Sequence, residues 1–294
     1  MGRLRKPVLL LLAVVVFFFL AASGLRAQLL GRQTGCYSAS IVANPNRPMV
    51  ADPADITQYG VLELEYGWDR SWPGQGVQEH HLVSLLKFGL LCDVELRWTS
   101  TNFLSQSDVA GHRSGLGDNW FGPQIRFYRQ TAHAPSLAFS YAVKVPSASQ
   151  KKGLGSGRTY HALTILASKD VLGTRFDVNA TYFLVGRQNA SGFHRNVQLN
   201  LSFSRPLRSR LGITGEFYGN TRLAPGSPGF ASTLWALTYQ FSPRLVVDAG
   251  IDAGLSAGAP HKRVFVGVTY SIANLYPAPK HPGRSNQTGK RSSP

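Results

Sequence analysis

The chain has 294 residues, with 31 lysines and arginines against 15 aspartates and glutamates, a formal net charge of +16. Such a balance in an intracellular protein would point to nucleic acid, but the chain opens on an export signal, so nucleic acid is excluded as a partner. Two cysteines allow at most one disulfide, which rules out a disulfide-framework fold, and no CxxC pair is present to hold a metal.

Arg3, Arg5 and Lys6 precede an uncharged stretch from Val8 to Ala22, and Leu25-Arg26-Ala27 places a small residue where signal peptidase cuts. The apolar run falls short of the roughly 20 residues that a spanning helix needs. Residues 1–27 are therefore read as a signal peptide, and 28–58 as an extended N-terminal segment. Cys92 reads as a small apolar residue on a strand.

From residue 59 to 272 the hydrophobic period is two. Val197, Leu199, Leu201 and Phe203 alternate with Asn196, Gln198, Asn200 and Ser202. Phe176, Val178, Ala180, Tyr182 and Leu184 alternate in the same way with Asp177, Asn179 and Thr181. The pattern predicts twelve strands: Tyr59–Asp69, Glu79–Phe88, Cys92–Thr99, Asp118–Arg129, Ser136–Val145, Thr159–Ser168, Thr174–Gly186, His194–Arg205, Arg210–Gly219, Ala231–Phe241, Arg244–Gly254 and Lys262–Ile272. Tight connections, such as Pro206–Ser209 and Ser242-Pro243, alternate with longer ones rich in Gly, Ser and Pro, such as Ser100–Gly117 and Pro146–Arg158. A sandwich has no reason to sort its loops by parity, whereas an outer-membrane barrel does. The fold class is thus all-β, a transmembrane antiparallel up-and-down β-barrel of about twelve strands. Aromatics near strand ends, among them Trp68, Trp98, Tyr128 and Tyr270, fit interfacial girdles. Residues 273–294 form a polar, basic tail read as disordered.

With the apolar rows outward, the inner face carries Glu63, Glu65, Asp93, Glu95, Arg97, Arg126, Lys144, Arg175, Asp177, Glu216, Asp248, Asp252 and Arg263. Two readings of this set stand: a salt-bridge lattice bracing the wall, and a lining that selects solutes. The second strand is apolar on both sides, with Val83, Leu85 and Lys87 against Leu82, Leu86 and Phe88, and the pattern does not orient it. No catalytic serine motif is found. His80 and Ser84 share a face, but they stand roughly 13 Å apart along a strand. No catalytic, metal or cofactor residues are assigned.

Three stretches resemble an outer-membrane barrel family named for the meta-pathway of phenol degradation, whose members are often called transporters. They are Asp52–Thr57 running into Gly60–Gly67, then Leu90–Arg97, and then Gly115–Asp118 ahead of Phe121–Phe127. The resemblance implies passage of small, often hydrophobic or aromatic, molecules. Passive solute passage across the outer membrane is the leading reading. The alternatives are a structural or lipid-binding barrel without an open pore, and an outer-membrane lipid hydrolase. The expected partners are outer-membrane lipid and lipopolysaccharide, a small-molecule solute, and the barrel-assembly machinery.

Overall fold

The computed structural model describes residues 36–74, 76–187, 191–222, 228–256 and 258–276; the predicted signal peptide and the tail beyond 276 lie outside these residues. In chain order the strands are β1 (Val61–Gly74), β2 (Val77–Leu91), β3 (Val94–Asp108), β4 (Gly111–Gly115), β5 (Asn119–Tyr128), β6 (Ser136–Val145) and β7 (Tyr160–Val171). They continue with β8 (Thr174–Gly186), β9 (Phe193–Pro206), β10 (Leu211–Asn220), β11 (Phe230–Ser242), β12 (Leu245–Gly254) and β13 (Lys262–Asn274).

Every pairing between strands is antiparallel, and β1 closes the sheet on β13, with Leu64 opposite Tyr270 and Trp68 opposite Val266. The short β4 pairs with the far end of β3 alone, so the wall itself has twelve strands. Closure follows from the solvent. Hydrocarbon offers no hydrogen bonds, and only a sheet without edges satisfies every strand N–H and C=O.

The faces sort inside out relative to a soluble protein. Leu199 is 60% exposed toward lipid, while Asn200 beside it is 3% exposed and Ser202 is fully buried. The largest fully buried side chains include Lys87, Gln124, Glu63, Glu65, Glu95 and Glu216. Apolar clusters in the interior are small, as in Leu234, Ala236 and Phe265 with Val50 against them. An outward apolar belt around a polar interior makes this chain an outer-membrane barrel.

Three expectations are corrected. The stretch Ser100–Gly117 is no open loop: β3 runs on to Asp108 and pairs with β4. Its apolar alternation is lost where the loop after β6 covers it, with Lys152 donating to Ser114 O and Leu154 against Gly115, while its backbone still needs partners. Cys92 is not a strand residue: it lies buried in the turn between β2 and β3, disulfide-bonded to Cys36. The second strand is oriented by register, since Lys87 pairs with Glu63 and points inward.

Candidate functional site

Residues 36–58 form no strand. The segment enters the lumen from the end that carries the short turns, which is the periplasmic end in such barrels. Pro45, Pro48 and Pro53 remove backbone donors and stop it from joining a ladder. Its remaining N–H groups still need acceptors once buried. The wall supplies them, chiefly as carboxylates. Glu63 accepts from Asn44 N (2.8 Å). Glu65 accepts from Asn46 N (2.8 Å) and Arg47 N (3.0 Å). Glu216 accepts from Val50 N (2.7 Å) and Ala51 N (2.8 Å), and Glu95 from Thr57 N (2.7 Å). Asn179 and the Ser168 hydroxyl receive Asp52 N and Ala54 N. The segment is a plug clasped by side chains from all round the wall.

Ion pairs complete the clasp. Arg97 donates both terminal nitrogens to Asp52 (2.8 Å each) and one of them to Gln124. Asp55 bridges Arg126 and Arg175, while Arg126 also meets Asp93, and Arg175 meets Asp177 and Asp170. Lys87 sits fully buried between Glu63 (2.8 Å) and Glu65 (2.6 Å) and donates to the plug at Asn44 O and Asn46 Oδ1. Arg47 runs along the inner wall from β1 to Asp248 on β12 (3.2 Å), over a slot made by Gly67 and Gly267, which face each other in register. A Cβ at either glycine would collide with the Arg47 guanidinium.

Two of the inward cations stand apart from the plug. Arg263 pairs with Asp252 (2.9 Å), which also accepts from Tyr218. Lys144 pairs with Asp118 (2.6 Å) and donates to Ser156 in the loop after β6. Among the described residues, Lys87, Arg97, Arg126, Lys144, Arg175 and Arg263 each have a counter-charge. A free positive lining is not what the seated state presents.

The electrostatics of the plug are one-sided. Burial pushes the Asp52 carboxyl up, but Arg97 with its hydrogen bonds, Asn46 and Lys87 outweigh this and hold it below its ordinary value. Burial also pushes the Asp55 carboxyl up, and Arg175 and Arg126 hold it below. Both carboxylates stay ionised and seated at neutral pH. The disulfide between Cys36 and Cys92 ties the start of the described plug to the β2–β3 turn.

Sequence reasoning missed Lys87, Arg47, Asp52, Asp55 and the glycine slot. One signal was available: Glu63 and Glu65 stand on adjacent inner positions, and opposite them β13 offers only Ser271 and Thr269. Buried carboxylates need donors, and the Pro-rich segment just ahead of β1 carries them.

Beside the plug lies a cavity of about 430 Å³. Its inner wall includes Thr99, Trp120, Ala162 and Phe183, with Val50 and Asp52 of the plug below. It also reaches Phe121, Pro123 and Tyr141, which belong to the outward rows of β5 and β6. The β5–β6 ladder skips here: Phe121 pairs with Val143 and Gln124 with Ser140, with no pairing at Gly122 and Pro123 between them. Pro123 has no N–H to give, and Gly122 lies hard against the Tyr141 carbonyl.

A family model described as "Putative MetA-pathway of phenol degradation" matches residues 57–272. No curated protein matches the chain by sequence. Among solved structures, an outer membrane channel from Pseudomonas putida F1 superposes with a TM-score of 0.61 at 12% identity, covering 78% of this chain and 99% of that one. The NanC porin superposes with a TM-score of 0.50 at 10% identity, covering 72% and 100%. Wall, lipid-facing belt and family match agree: the chain belongs to this phenol-degradation family of outer-membrane β-barrels.

Proposed function

We propose that the barrel passes small hydrophobic or aromatic solutes passively across the outer membrane, with residues 36–58 acting as a plug that regulates the lumen. The observation that carries this is the cavity, which joins an aromatic and small-residue inner surface to the lipid-facing rows of β5 and β6. An aromatic solute gains from burial against Trp120 and Phe183. The channel and porin folds to which the barrel is similar support passage rather than hydrolysis. The inner carboxylates and arginines are committed to the plug or, as with Arg263 and Asp252, to one another, which supports a role in the wall rather than in catalysis. The barrel-assembly machinery and the lipopolysaccharide leaflet are its partners in this reading.

The test is uptake of radiolabelled toluene by whole cells carrying the wild type or Ala162→Trp. The variant fills the cavity from the inner row of β7 and should slow uptake to the level of cells lacking the protein. Unchanged uptake through a folded variant would refute this cavity as the route. No wild-type advantage over cells without the protein would favour a barrel that does not conduct.

A further inference from the structure

The outer end of β1 carries a second polar feature, on the opposite side of the wall from the plug. Tyr66, Trp68, Arg70 and Trp72 form the outward row of this strand, and Trp72 pairs directly with Lys262 on β13. The Arg70 guanidinium lies 4.9 Å from the Trp72 ring centre, and the Lys262 ammonium 4.7 Å from it. Two cations thus share one indole. Arg70 donates to Gln78 Oε1 (2.6 Å), and its Nε is buried without a hydrogen-bond partner. Among the described residues neither cation makes a salt bridge. The nearest carboxylates in sequence, Asp69 and Glu79, belong to the inner row and are engaged by His81 and Ser71.

Height decides what this pair meets. Trp72 is eleven residues above Val61 on β1. At the usual strand rise and a tilt of about 40°, that is roughly 28 Å above the periplasmic end, just past an apolar band about 25 Å tall. Outward cations at mid-bilayer would be costly, whereas at the interface they cost little. Directly below them lie Trp68 and Leu82, paired with each other, and Val264 and Val266 on β13, an apolar surface suited to acyl chains.

We propose that Arg70, Trp72 and Lys262 bind a phosphate of lipid A, the phosphorylated glycolipid of the outer leaflet, with its acyl chains lying along Trp68 and Val266. Guanidinium and ammonium together suit a doubly charged phosphate. No carboxylate neutralises either cation among the described residues, so both charges remain available to a phosphate. The apolar surface beneath commits the site to a lipid rather than to a free anion. This rests on outer-membrane placement and not on solute passage, so a barrel that conducts nothing would still bind.

Native mass spectrometry of the detergent-solubilised barrel, titrated with bisphosphorylated lipid A, reads binding directly. Wild type should retain the lipid, and Arg70→Gln/Lys262→Gln should lose at least about tenfold in apparent affinity. Lys151→Gln, in the loop after β6, should bind as wild type does. Removing both phosphates from lipid A should weaken wild-type binding as much as the double variant does. Heat-modifiable gel migration checks folding. Lys262→Gln alone removes a side chain without hydrogen bonds among the described residues, and it keeps the test decisive if the double variant does not fold. Equal retention by wild type and either variant would overturn the proposal. So would displacement of lipid A by millimolar inorganic phosphate, which would mark a free-anion site.

Discussion

Replacing Glu216 by leucine removes the acceptor that holds the plug at Val50 and Ala51. The carboxylate is fully buried and takes both backbone amides, at 2.7 and 2.8 Å, together with the Asn200 side-chain amide at 2.8 Å. Hydrogen bonds to a charged group contribute about 1.5–3 kcal/mol each. Part of this returns when the charge no longer has to be desolvated, so a net loss of about 3 kcal/mol at these two amides is expected. At about 1.4 kcal/mol per factor of ten, that is roughly a hundredfold rise in the unseated population of this stretch. Amide hydrogen exchange in nanodiscs measures it: protection at Val50 and Ala51 should fall about a hundredfold. Thr57 hangs on Glu95 instead and should keep its protection. Glu216→Gln, which retains one acceptor oxygen, should fall between. Unaltered protection at Val50 and Ala51 in a folded Glu216→Leu barrel would refute the clasp. An equal fall at Thr57 would show that the plug moves as one body.

Lys87→Met leaves Glu63 and Glu65 as neighbouring buried carboxylates without their cation, a cost of about 3–5 kcal/mol. The heat-modifiable transition should drop markedly, and adding Glu63→Gln and Glu65→Gln should restore much of it. Plug seating should also respond to acid. Asp52 and Asp55 are held below their ordinary 3.8 when seated. Their contribution is therefore complete above that value and is lost as the pH falls through the lowered one. Exchange protection of Asp52 and Ala54, corrected for intrinsic rate, should be flat at neutral and mildly acidic pH and fall only below 3.8. A loss of protection near pH 6 would contradict the assignment.

The wall was legible because its physics is local. A lipid-facing row and a lumen-facing row must alternate along every strand, so Leu199 and Asn200 declare their faces without reference to any other strand. Alternation failed where that contrast fails. On β2 a single inward lysine sits among aliphatics, and only its register with Glu63 orients the strand. In the β3–β4 hairpin the contrast between a lipid row and a lumen row is absent, since the loop after β6 packs on it, so hydrogen bonding persists without a hydrophobic period. The inward charges were legible as a set, but not their partners. Arg97 and Asp52 are 45 residues apart, and Arg47 and Asp248 are 201 apart.

The sequence by itself determined the period, the number of wall strands and the polarity of the interior. Each follows from which solvent a residue faces. Only the tertiary structure decided what fills that interior. Residues 36–58 have no period because they satisfy their backbone on side chains instead of on a neighbouring strand. Those side chains converge from many strands, so they form one site only after β1 has closed on β13. The same closure sets Gly67 opposite Gly267 to admit Arg47, and sets Trp72 beside Lys262 on the outside. Both arrangements depend on register across the seam between the first and last strands, which no local pattern encodes.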